Sequence, residues 1–106
     1  MGKIRAIIKR PDEMYGHVSY ISNTLANLQK IVGGYIETQS MGMGNILIMN
    51  EEGKIKHLEP NLRIGGGIYT DTIVGTVIAL GVDGEEFCDC PMEFDVWKMM
   101  VDVMRV

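Results

Sequence analysis

The chain has 106 residues and contains no complete catalytic or metal-binding motif. No apolar run approaches the roughly 20 residues that a membrane span requires. The opening MGKIRAIIKR turns polar at Arg10 to Glu13 before the apolar core of a signal peptide develops. Only two cysteines occur, Cys88 and Cys90, and they cannot make a disulfide framework; with nine methionines they suit a reducing interior. A cytoplasmic location is therefore expected. Basic side chains are in deficit, 10 against 14 acidic ones for a net charge of −4, which argues against a general affinity for nucleic-acid backbone. Internal repeats and low-complexity tracts are absent.

What is present suits one globular domain spanning 1–106, with 46% apolar and 23% charged residues. Charge is unevenly placed: Lys3, Arg5, Lys9 and Arg10 open the chain without an acid, whereas Asp83 to Asp102 carries seven acids and only Lys98. The plain reading is two solvated faces, and a partner surface is the alternative.

KIRAIIKR reads as a buried first strand ended by Pro11, and after the loop DEMYG, His17 to Ile21 reads as its antiparallel neighbour. Asn23 offers an N-cap for a short amphipathic helix over Thr24 to Val32, with Leu25, Leu28 and Ile31 or Val32 on one face and Gly33-Gly34 ending it. Tyr35 to Met41 and NILIMN form a hairpin through the glycines of SMGMG, and the turn Asn50 to Gly53 is expected to return the chain as a strand KIKHL. Ile73 to Val82 is the most strongly β-forming run. Asp83-Gly84 signals a type I′ turn into EEFCD. Pro91 marks the first turn of a terminal helix, with Glu93 and Asp95 complementing its dipole and Val96 or Trp97, Met100, and Val103 or Met104 on the buried face. The fold class is α+β: an antiparallel sheet of about five to seven strands, one internal helix and one C-terminal helix.

The stretch Leu58 to Gly75, LEPNLRIGGGIYTDTIVG, breaks this pattern and reads as a connecting loop. Asn61, Arg63, Tyr69, Thr70, Asp71 and Thr72 crowd recognition chemistry into it, on a loop that rigid sheets would hold. Gly65, Gly66 and Gly67 could form a backbone nest for a phosphate or carboxylate, with Arg63 as a bidentate partner. These nine residues form the candidate ligand-binding set. A lysine and hydroxyl residue after the glycines, and the strand-helix context of a nucleotide loop, are missing, so a plain connector is the competing reading.

Other constellations are weaker. Cys88 and Cys90 with His57 and His17 could offer zinc ligands, but the spacing is unusual and Cys88 is more simply a small core residue. A Cys-His nucleophile pair has nothing to place it together. Glu51 and Glu52 sit in a solvated turn, and Glu59 with Asp71 lacks a metal signature or a reason for a raised pKa. Trp97, Met99, Met100 and Met104 read first as core, with the outward methionines left as a dimer contact. Neither catalytic residues nor a metal or cofactor site are assigned.

SNTLANLQKIVGGYIE at 22–37, NEEGKIKHLEPN at 50–61 and DTIVGTVIALGVDGEEFCD at 71–89 together resemble, in order and spacing, a family of short proteins of bacteriophages, plasmids and Gram-positive bacteria. That family is known only as a domain of unknown function, number three-eight-four-six. Its loop typically reads Leu-Pro-Pro-Asn and then a basic residue; here Glu59 replaces the first proline, Arg63 stands one place late, and the triple glycine is inserted. The resemblance implies an accessory protein of a phage or mobile element and supplies no catalytic residues. The functional classes it leaves are a non-enzymatic binder of a host protein or of a small, nucleotide-like anion, a small hydrolase or transferase using Asp71, Arg63 and Asn61, and an acidic mimic of DNA. For the anion binder, two copies of the loop would close one pocket, so a homo-oligomer is expected.

Overall fold

A computed structural model describes residues 2–106, with Gly67 through its backbone only. In chain order the elements are β1 (Lys3–Lys9), β2 (His17–Ser22), α1 (Leu25–Val32), β3 (Ile36–Gly42), β4 (Asn45–Asn50), β5 (Pro60–Ile64), β6 (Asp71–Val74), β7 (Val77–Asp83), β8 (Glu86–Cys88) and α2 (Phe94–Met104). Six strands make an antiparallel sheet in the order β2-β1-β7-β4-β3, with β8 pairing the far end of β7. The expected α+β class, with one internal and one C-terminal helix, is the class observed.

Strand β7 is central, and Ile78 lies opposite Ile8 on one side and Ile48 on the other. That row, with Ala6, Ile21 and Leu80, packs against Leu28 and Val32 of α1. The alternate side chains Ile7, Leu47, Met49, Val77 and Ala79 face the other way, against Trp97, Val101 and Met104 of α2 and Leu62 and Ile73 of a separate β5-β6 hairpin. Burial on both faces explains why AII, ILIM and VIAL are continuous apolar runs instead of alternating ones.

Several local expectations are corrected. Residues 58–75 are not one connecting loop: β5 and β6 pair within them, joined by a 3-10 turn at Gly67–Tyr69. KIKHL is not a strand but successive turns, with the Lys56 amide donating to Glu52 O and the Leu58 amide to Gly53 O. The run 73–82 is divided at Gly75-Thr76, its first part joining the hairpin and its second the sheet. Thr24, not Asn23, caps α1: its side chain accepts from the Asn27 amide, while Asn23 Nδ2 donates to Phe87 O at 3.0 Å. On α1, Leu25 is exposed. Helix α2 starts at Phe94, three residues after Pro91, with Glu93 at its N-cap. The β7-β8 turn is Gly84-Glu85 with only Gly84 at positive φ (62°), which fits type II′ and not I′.

Three contacts seat α2 and the hairpin on the sheet. The Trp97 indole N–H donates to Tyr15 O at 2.7 Å, satisfying the one polar atom of a fully buried ring. Leu62 bridges to Arg105 just beyond the helix. Asn61 is the extra residue of a β-bulge, opposed with Leu62 to Ile73 alone, and so turns inward beside it.

Candidate functional site

The hairpin lies beside the exposed edge strand β3 and the C-terminal end of α2, and between the three runs a groove of about 560 Å³. Gln39, Ser40 and Met41 of β3 form one wall, Arg63, Ile64, Gly65, Tyr69 and Asp71 of the hairpin another, and Val103 and Met104 of α2 close the third side. A smaller cleft of about 120 Å³ adjoins it, sharing Gln39, Ile64 and Asp71 and adding Glu37, Lys54 and Thr72.

Of the nine residues expected to bind a ligand, the structure brings Arg63, Gly65, Tyr69 and Asp71 into the larger groove, and Thr72 into the smaller cleft. Thr72 stands opposite Arg63 in the hairpin register. Tyr69 is 83% exposed. Thr70 follows the 3-10 turn in extended conformation on the surface. Asn61 is elsewhere: 3% exposed, its Oδ1 accepts from Lys9 Nζ at 2.6 Å, and its Nδ2 donates to Lys9 O and Gly75 O at 2.9 and 2.8 Å. Its polar atoms are committed inside the fold. It therefore cannot join Arg63 and Asp71 as the imagined catalytic trio without dismantling that clamp.

The glycines do not make a nest. A nest needs successive residues of alternating hand so that their amides converge, but Gly65 has φ 80° and Gly66 is extended at φ −162°. The Tyr69 amide donates to Gly66 O at 3.1 Å. Gly65 is required by the tip itself, since a Cβ there would stand 2.5 Å from Tyr69 O at a positive φ. Gly66 is exposed at the same tip, and Gly67 opens the 3-10 turn.

Electrostatics divide the groove. Asp71 pairs with Lys54, and the hydrogen bond from that ammonium holds its carboxyl below the usual range, so it stays ionised and is a poor proton donor near neutrality. Arg63, by contrast, has no carboxylate partner among the described residues. A planar cation with five donors thus faces the groove beside an exposed phenol, with serine, glutamine and threonine side chains around it.

The other sequence candidates do not assemble. Among the described residues no three His, Cys, Asp or Glu side chains come together. His17 Nδ1 lies 2.9 Å from Glu13 Oε2, His57 is exposed in the turns after β4, Cys88 is half-buried and Cys90 buried; both thiols are free. Burial pushes the Cys90 thiol up, away from nucleophilic use. No helix among the described residues is long and apolar enough to cross a membrane.

Sequence reasoning missed the β3 wall and Lys54. The polar face of IETQSMG was legible, but its position opposite the hairpin depends on β3 being the sheet edge. Lys54 falls in KIKHL, which has the alternation of a strand but folds as turns.

The chain matches, over residues 4–101, the model of a family described as a domain of unknown function (DUF3846). It belongs to that family. No curated protein and no solved structure matches it.

Proposed function

We propose that this member of the domain-of-unknown-function family is a non-enzymatic binding protein that holds a small nucleotide-type anion in the groove between β3, the β5-β6 hairpin and α2. The observation that carries the reading is the unneutralised Arg63 guanidinium facing a groove of about 560 Å³ beside the exposed Tyr69 ring. A guanidinium offers a bidentate fork to a phosphate, and an exposed aromatic ring offers a stacking surface to a base. The groove volume falls within the roughly 300–1,000 Å³ of small-molecule sites. Binding suits the chemistry better than turnover, because the acid in the groove is held ionised by Lys54 and Asn61, the third member of the trio with Arg63, is committed inside the fold. Sequestering such an anion in a host cytoplasm would serve a phage or mobile element as a counter-defence, the setting that the family resemblance implies.

Isothermal titration with inorganic phosphate, ATP and cyclic dinucleotides tests this. At least one nucleotide should bind, with Arg63→Ala weakening it roughly 10-fold or more and Tyr69→Ala weakening a nucleotide but not phosphate. Absence of binding by every nucleotide would sink the proposal. Conversion of a bound nucleotide during incubation would replace it with an enzymatic reading.

A further inference from the structure

Helix α2 carries three faces where a helix lying on a sheet needs two. Trp97, Val101 and Met104 enter the core. Asp95, Lys98, Asp102 and Arg105 form a charged face on which Tyr15 Oη donates to Asp102 at 2.9 Å and Lys98 and Arg105 lie over the Tyr15 ring. The third face, at positions i, i+3, i+4 and i+7, is Val96, Met99, Met100 and Val103: Val96 is 47%, Met99 68% and Val103 86% exposed, while Met100 between them is half-buried and rests on the core cluster. It is an apolar ridge that the described residues leave largely open.

We propose that this ridge is the contact between two copies of the chain, packed antiparallel about a two-fold axis passing between Met99 and Met100. The stripe is a palindrome, Val-x-x-Met-Met-x-x-Val. A two-fold antiparallel pairing sets Val96 of each copy against Val103 of the other, with the four methionines at the centre, as an isologous interface demands. Antiparallel pairing also opposes the two helix dipoles favourably.

Charge complementarity selects this occupant over an unrelated apolar partner. Glu93 lies at the N-terminal end of the ridge with Val96 and Met100, and Arg63 lies at its C-terminal end with Val103 and Met104. Neither has an ion-pair partner among the described residues. Reversing one copy against another brings each Glu93 to the other copy's Arg63, giving two symmetric ion pairs at the rim.

The surface is also extensive enough. Beyond Glu93 the ridge continues onto Met43 and the half-buried Met92. Together with Val96, Met99, Met100 and Val103 these side chains expose on the order of 600 Å² per copy, close to the ~800 Å² per partner of a standard interface. Met43 strengthens the case independently. It is 98% exposed and occupies the first position of the two-residue β3-β4 turn at φ 55°, followed by Gly44 at φ 77°. Asparagine or glycine is the ordinary choice there, so an apolar side chain stands there at a backbone cost, uncovered by the described residues.

Sedimentation equilibrium of the full ligand-free chain, from low to high micromolar concentration, tests the proposal. The expected result is a reversible dimer. Met99→Glu places two like charges at the axis and should raise its Kd by roughly 100-fold while leaving the thermal midpoint of the isolated protomer unchanged, whereas Lys98→Glu on the charged face leaves the Kd near wild type. Glu93→Arg and Arg63→Glu should each weaken the dimer, and the double exchange should restore it. A monomeric mass at every concentration, a Kd indifferent to Met99→Glu, or a double exchange that does not recover the dimer would overturn the proposal. Arg63 serves an anion in one reading and Glu93 of a second copy in the other. Mass and ligand heat are separate readouts, so either proposal can fail alone.

Discussion

The two helices cover opposite faces of one sheet, yet they differ in how much of themselves the sheet uses. Helix α1 buries Leu28 and Val32, rests Ile31 on the same cluster, and turns Gln29 and Lys30 away from it. Helix α2 buries an equivalent stripe and still shows a second one to solvent. The difference teaches that amphipathic spacing identifies a docked helix only when a single apolar stripe is present; a surplus stripe reports on what lies outside the chain. The two sides also differ in their attachments. The α1 side is closed by packing, with single hydrogen bonds from Asn50 to Val32 O and from Asn23 to Phe87 O at the two ends of the helix, while the α2 side includes a hairpin outside the main sheet, held by a buried polar clamp.

The largest expected effect separates the two sides by packing. Trp97→Ala should lose about 4 kcal/mol, since it vacates the largest buried side chain and leaves Tyr15 O without its donor, and Leu28→Ala about 3 kcal/mol. Urea unfolding at neutral pH measures both; equal or reversed costs would mean that α2 is not the more deeply anchored helix.

Next is the clamp. Asn61→Ala leaves the Lys9 ammonium with only the long contact to Arg10 O at 3.4 Å and removes the donor to two carbonyls, so a loss of about 3 kcal/mol is expected. Hydrogen exchange should show β5 and β6 losing protection first while the α1 amides keep theirs. Uniform loss over both sides would break the distinction drawn between them.

Lys9 makes the same region sensitive to base. It is 4% exposed, and burial, assisted by the nearby Arg105 charge, holds its pKa below the ordinary lysine range. Below that folded-state pKa, the cost of burying the charge is present in full. Between it and the unfolded value of 10.5 the unfolded chain binds more protons, so this residue's contribution to stability rises with pH. The difference in unfolding free energy between wild type and Lys9→Met should therefore shift in favour of wild type as pH is raised through that window, and a flat difference would refute the assignment.

Smaller effects test the surplus stripe. Met43→Asn relieves a left-handed residue and should stabilise the protomer by about 1 kcal/mol in thermal melts, while weakening self-association. Met99→Glu should alter protomer stability by no more than about 0.5 kcal/mol. A large destabilisation would place Met99 in the core and reduce α2 to the same type as α1.

Much of the main sheet was legible because its strands obey simple local chemistry. Doubly buried β1, β4 and β7 carry the continuous apolar runs AII, ILIM and VIAL, and Gly33-Gly34, Met43-Gly44 and Asp83-Gly84 punctuate the chain between elements. The hairpin was not legible. Its first strand opens with Pro60 and bulges at Asn61, and its second is cut short at Gly75, so neither offers a clean period-two stretch. KIKHL failed for the opposite reason: it has strand-like alternation, but the turns after Asn50 capture its amides, with His57 at φ 56°. The candidate site was half legible. Arg63, Tyr69 and Asp71 stand together as their clustering suggested, while Asn61 shares their composition and not their location. Composition finds polar residues, but the bulge decides which of them turn inward.

The position of β7 in the sheet has a consequence for synthesis. It is the central strand, pairing with both β1 and β4, yet it is the seventh to be made. Until Val77–Asp83 leaves the ribosome, the β1-β2 and β3-β4 hairpins have no strand to join them, and each presents an open apolar edge. The β1-β2 hairpin must therefore wait for β7 before β1 gains its second neighbour, a high contact order that makes for slow closure. Truncations ending before residue 77 should consequently be captured by chaperones or aggregate, and those that keep both β7 and α2 through Met104 should not.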